Sequence, residues 1–148
     1  MIKEKFYELK KNFSVKNNLF LIFLIVKTNM DLDQIDFNFL KDNTTKIFSF
    51  KNEKWEIKNS KKPNAKYKFI NIEEVKEPEK IIEKISKPLK NKNLFPNKFM
   101  IIIQKVKDLT YTVLCLSEDF YVYKIVMDKD LNIIEEELIN LINFFRIK

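Results

Sequence analysis

Not one of the 148 residues is glycine. Glycine reaches positive φ without steric cost, so its absence leaves sharp turns to Asn, Asp and longer loops. Phosphate-cradling loops are excluded with it, because neither the P-loop nor the dinucleotide fingerprint can be written without Gly. Histidine is missing too, which excludes Ser-His and Cys-His catalysis. The one cysteine, Cys115, lies in the apolar run VLCL. It permits no intrachain disulfide and no multi-cysteine metal site, and it reads as an inert core thiol.

What remains is globular in composition, with 45% hydrophobic and 14% aromatic residues. Lys, Asn, Ile and Phe abound, while Ala65 and Arg146 are the only residues of their kinds. Those abundant types have A/T-rich codons, so an AT-rich genome is the simplest cause. The net charge of +7 would ordinarily imply an anionic partner, yet codon drift toward lysine accounts for part of it. Its distribution says more. Residues 46–68 hold eight Lys and two Glu, whereas residues 108–137 hold two Lys and eight acids. A basic middle and an acidic late segment can neutralise each other on folding or in a dimer.

Ile2, Phe6, Leu9 and Phe13 recur at helical spacing and predict an amphipathic helix. Leu19–Val26 is continuously apolar and rich in β-formers, too short to span a bilayer as a helix, and predicts a strand buried on both faces. Residues 30–43, MDLDQIDFNFLKDN, read as an acidic connector with at most a short helical turn. Lys46–Phe50 and Trp55–Lys58 form a hairpin in which Phe50 meets Trp55 and Phe48 meets Ile57. Without Gly, a four-residue loop over Lys51–Lys54 is expected there. Tyr67–Ile72 reads as a further strand.

Pro78 opens a second helix with Ile81, Ile82, Ile85 and Leu89 on its buried side, and Pro88 should end it. Phe99–Val106, Thr110–Leu116 and Phe120–Met127 read as strands joined by tight turns. A third helix is expected after Asn132, capped by that residue and with Ile134, Leu138, Leu141, Ile142 and Phe145 as its apolar face. The fold class is thus α+β, one domain over residues 1–148. A mostly antiparallel sheet of about six strands, in the order α-β-β-β-β-α-β-β-β-α, is flanked by three helices. The two halves look loosely alike, although their residues do not repeat. Strands apolar on both faces require either helices on both sides or one face closed by a partner.

Three functional readings compete. The sharpest catalytic lead is Glu56-x-Lys58 with Asp42, the acid and acid-x-Lys of a metal-dependent nuclease. Glu8-x-Lys10 and Glu74-x-Lys76 repeat the pattern, as chance allows in a lysine-rich chain. Asp31-x-Asp33 faintly imitates a phosphatase loop, and Asp128-x-Asp130-x-Asn132 imitates a calcium loop that lacks its Gly and its final Glu. The second reading is a basic nucleic-acid- or ribosome-associated protein. It would use Lys46, Lys51, Lys54, Lys58, Lys61, Lys62, Lys66 and Lys68 on phosphates, with Trp55, Tyr67 or Phe69 on bases. The favoured reading is a non-catalytic protein-interaction module, an adaptor, chaperone-like or assembly subunit. Tyr121, Tyr123, Phe144 and Phe145 are its candidate contacts, and another protein or a second copy is its partner. It carries no catalytic residues, cofactor or metal, is not a membrane protein, and is expected in the cytoplasm.

Overall fold

The computed structural model describes residues 1–118 and 121–140. Among the described residues all strands belong to one antiparallel sheet of eight, with two helices, instead of about six strands and three helices. Helix α1 (Ile2–Asn12) precedes β1 (Leu19–Lys27), β2 (Leu32–Lys41), β3 (Thr44–Lys51) and β4 (Lys54–Lys61). Helix α2 (Pro78–Asn91) precedes β5 (Lys98–Lys105), β6 (Leu109–Leu116), β7 (Tyr121–Met127) and β8 (Ile133–Asn140). The strands lie in the order β4-β3-β2-β1-β5-β6-β7-β8. Each half is therefore one helix followed by a four-stranded meander. The two first strands, β1 and β5, pair at the centre with Phe23 opposite Ile102.

The buried stripe of α1, Ile2, Phe6 and Leu9, falls on the predicted positions, and Phe13 follows it to pack on Phe48 and Trp55. Ile81, Ile85 and Leu89 are the matching stripe of α2. Pro88 does not end that helix. Leu89 is buried one residue beyond it, and its carbonyl accepts the N–H groups of Lys92 and Leu94. Both stripes join one core with the alternate sheet residues Ile22, Leu24, Ile35, Phe37, Ile101 and Val113. Both helices thus cover the same side of the sheet.

Three expectations fail for physical reasons. Residues 30–43 hold strand β2: Ile35, Phe37 and Phe39 are all buried on the helix side, with Asp36 and Asn38 turned away between them. The helix expected after Asn132 is instead strand β8, in which Ile134 and Leu138 are exposed and not core. Asp128 decides this. Its carboxylate accepts the backbone N–H groups of Asp130 and Asn132, and Leu131 at φ 64° reverses the chain so that 133–140 pairs with β7. The remainder of that helix, with Leu141, Ile142 and Phe145, lies outside the described residues. Tyr67–Ile72 is extended but forms no strand. Its Lys68 N–H reaches the Lys105 carbonyl, its Ile70 N–H reaches that of Leu19, and Ile72–Glu74 closes into a 3-10 turn.

The hairpin of β3 and β4 keeps its expected register, Phe50 opposite Trp55 and Phe48 opposite Ile57. Its loop is tighter than expected. Lys51 and Lys54 pair directly, leaving Asn52 and Glu53 as a two-residue turn with φ of 52° and 63°. Both signs are those of a primed turn, made here without glycine.

Candidate functional site

Pairing registers assign every strand residue to a face. On the helix side, one cross-strand row runs Trp55, Phe50, Ile35, Leu24, Ile101, Val113, Ile125, Glu136. It is apolar through its middle, and its strands are capped by α1 and α2. On the other side a row runs Lys54, Lys51, Gln34, Ile25, Met100, Leu114, Lys124, Glu137. The next runs Glu56, Ser49, Asp36, Phe23, Ile102, Thr112, Val126, Glu135. No helix lies over these rows among the described residues.

A sheet covered on one side normally alternates apolar inward with polar outward. Here the outward positions of the central strands are Leu21, Phe23, Ile25, Met100 and Ile102, all half-exposed. The continuous apolar run of β1 is thus explained: one set of its side chains enters the core and the other forms an uncovered apolar strip. Leu114, Leu116, Val122 and Val126 extend that strip over β6 and β7. A shallow hollow of about 550 Å³ lies on the same face, between Ile102, Thr112, Lys124 and Glu135.

Polar groups rim the strip. Lys51, Lys54 and Lys58 stand at the β3–β4 end, where Lys58 Nζ is 4.0 Å from Glu56. Glu135 and Glu137 stand at the β8 end, with Lys124 Nζ 3.8 Å from Glu135. Across the strand ends, Lys27 and Lys98 face each other, and Asp33 sits 3.5 Å from both ammonium groups. The Asp31-x-Asp33 pair therefore serves a hairpin: Asp31 bonds Asn29 and Asp33 holds two lysines.

The proposed basic strip is divided by the fold. Lys51, Lys54 and Lys58 share the uncovered face, while Lys46 and Lys61 lie on the helix side, Lys46 over the Phe48 ring. Lys62 and Lys66 follow β4 on the connection toward α2. Lys68 lies beside β5 and donates to the Lys107 carbonyl. Nor is Trp55 a stacking platform: its ring packs against Phe13, Phe37 and Phe50, and its indole N–H donates to Glu8 at 3.1 Å. Tyr67 stacks on Phe20, whereas Phe69 is exposed.

Asp42 and Glu56 are not brought together. Glu56 sits opposite Ser49, and Asp42 lies beyond the Thr44–Lys61 pair, about 16 Å further along the strands. Among the described residues no three acids, cysteines or histidines gather as a metal set. Of the candidate contact residues, Tyr123 is buried on the helix side, and its hydroxyl donates to Glu136. Burial and then that carboxylate push its phenol pKa upward. Tyr121 is half-exposed and accepts a hydrogen bond from Asn140. Phe144 and Phe145 lie outside the described residues. Cys115 is buried, and burial raises its thiol to about 12.

Missed by sequence reasoning was the outward set Leu21, Phe23, Ile25, Met100 and Ile102. The available signal was two apolar runs, Leu19–Val26 and Phe99–Ile103, each apolar on both faces of its strand. No protein-family model matches this chain, and no curated protein or solved structure matches it either. Among the described residues no helix is long and apolar enough to cross a membrane.

Proposed function

We propose that the chain is a non-catalytic protein-interaction module, an adaptor, chaperone-like or assembly subunit, that works through the uncovered face of its sheet. The observation behind this reading is the row Ile25, Met100, Leu114 beside Phe23 and Ile102: large apolar side chains where a solvated sheet would carry polar ones. A contiguous apolar patch of this kind marks an interaction surface more often than a catalytic one. The free, buried thiol of Cys115 suits a reducing compartment, and the cytoplasm belongs to the proposal on that ground.

The test is the size of the particle in an extract of the native host. The wild-type chain should migrate well above its 17.9 kDa. Phe23→Glu with Ile102→Glu should return it to its own mass, with circular dichroism unchanged because neither side chain is in the core. A chain that migrates at its own mass without these substitutions would sink the reading.

A further inference from the structure

The uncovered face has an internal complementarity that names its occupant. Read across the sheet, its outward residues change in character from one edge to the other. The β3–β4 end carries Lys51, Lys54 and Lys58 with Glu56, and β2 carries Gln34, Asp36 and Asn38. Apolar β1 and β5 follow, then β6 with Thr110 and Thr112, then β7–β8 with Lys124, Glu135 and Glu137. Laid over its own reverse, each row sets apolar β1 on apolar β5, with Ile25 over Met100 and Phe23 over Ile102, and sets Asp36 over Thr112 and Lys54 over Glu137. Lys51 falls over Lys124 and Glu56 over Glu135, but Lys124 already has Glu135 beside it and Glu56 has Lys58, so the net positive edge still meets the net negative one.

We propose that the face is closed by a second copy of this chain, packed sheet on sheet about a twofold axis that runs parallel to the strands between β1 and β5. This rests on the interaction-module reading and specifies its partner. A rotation about that axis sends β4 over β8 and β2 over β6 of the other copy, so each contact occurs twice, as an isologous interface requires. The other in-plane axis, perpendicular to the strands, lays each strand on itself, so the edge with Lys51, Lys54 and Lys58 meets its own copy and like charges oppose it.

Size agrees with the assignment. Eight strands about 4.8 Å apart and about 25 Å long present roughly 900 Å². A stable interface needs about 800 Å² from each partner. Two sheets stacked in this way sit about 10 Å apart, their strands inclined by about 30°. That spacing is filled by side chains of the size of Phe23, Ile25, Met100 and Ile102.

The experiment uses the full chain, purified alone. Sedimentation equilibrium at micromolar concentration should return twice the monomer mass. Phe23→Glu with Ile102→Glu should halve that mass while far-ultraviolet circular dichroism and the unfolding transition persist. Orientation is read by cross-linking. In a mixture, a thiol-specific bifunctional linker of about 10 Å span should join the Lys54→Cys chain to the Glu137→Cys chain, and it should join neither variant to itself. Cys115 is buried and does not compete.

A purified chain that stays monomeric overturns the proposal. If such a monomer still migrates as a Phe23-dependent complex in host extract, the interaction module stands and its partner is a different protein. If it does not, both readings fall. A monomer whose face binds a hydrophobic dye only after removal of residues 141–148 would assign the cover to the chain's own end, against the proposal. An open-ended series of oligomers would indicate β4-to-β8 edge pairing, and linking within β4, of Lys54→Cys or Glu56→Cys to itself, would indicate the perpendicular axis. Either result rejects the proposed geometry.

Discussion

The carboxylate of Glu77, the residue that opens α2, accepts the backbone N–H of Ile2, the residue that opens α1, at 2.7 Å. Its second oxygen accepts the N–H of Lys3 at 3.1 Å, and the amino group of Met1 lies 3.2 Å away. A helix begins with unsatisfied N–H groups and a partial positive charge, and an anion there answers both. One side chain therefore ties the starts of the two helices, and with them the two halves of the fold.

The first prediction concerns acid. Burial raises the Glu77 pKa, but the N–H groups of Ile2 and Lys3 outweigh it, and the net shift is downward. A carboxyl whose folded pKa lies below its unfolded value of about 4.3 contributes stability that is complete above that value. The contribution is lost as pH falls through the folded pKa. Glu77→Gln should cost about 1–2 kcal/mol at pH 7. The difference from wild type should shrink as pH falls below the unfolded value and through the lowered folded pKa. Urea unfolding at a series of pH values measures this, and a constant difference at all pH would reject the capping role.

The second uses the only tryptophan. Trp55 joins the edge strand β4 to α1 through Phe13 and Glu8. Trp55→Ala should destabilise by about 2–4 kcal/mol, since the ring is partly and not wholly buried. Trp55→Phe keeps the ring contacts and loses the N–H, at about 1 kcal/mol. Denaturant midpoints give both values. A loss below about 0.5 kcal/mol for the alanine variant would mean that the indole is free in solution.

Cys115 supplies the third. With its thiol raised to about 12, the folded chain holds almost no thiolate at pH 8. A disulfide reagent should leave the native protein untouched over an hour and titrate one thiol on denaturation. Prompt reaction of the native protein would place Cys115 outside the core.

How far the sequence speaks differs from element to element. Phe48, Phe50, Trp55 and Ile57 declared their pairing because alternation and aromatic partners agreed. The alternation of Ile35, Phe37 and Phe39 was equally regular, but flanking acids gave the segment the look of a loop. Residues 133–140 show the opposite limit. Ile134 and Leu138 fit a helical stripe as well as a strand, and only the Asp128 turn, which points the chain back along β7, separates the two. The uncovered face was legible only as a dilemma: strands apolar on both sides need either more helices or a partner. Deciding it required knowing that both helices lie on one side, which is a long-range fact of packing that no local pattern encodes.

That face yields the last prediction. In the twofold arrangement the β4 edge, with Lys54 and Lys58 outnumbering Glu56, lies over the β8 edge with Glu135 and Glu137, Lys54 directly over Glu137. Rim charges contribute about 0.2–1 kcal/mol per pair, and an isologous interface counts each twice. Lys54→Glu with Lys58→Glu should therefore weaken self-association by about tenfold, chiefly below 0.1 M salt, where screening is weak. Glu135→Lys with Glu137→Lys should weaken it similarly, and combining all four substitutions should restore it. Lys61→Glu with Lys62→Glu is the control: Lys61 points to the helix side, so the dimer should not respond. The same variants test the nucleic-acid reading. Phosphate contacts through the basic segment would make Lys61 and Lys62 matter, give binding a steep inverse salt dependence, and leave no rescue by Glu135→Lys. Failure of the fourfold variant to recover, with both double variants folded, would show that the two edges do not meet.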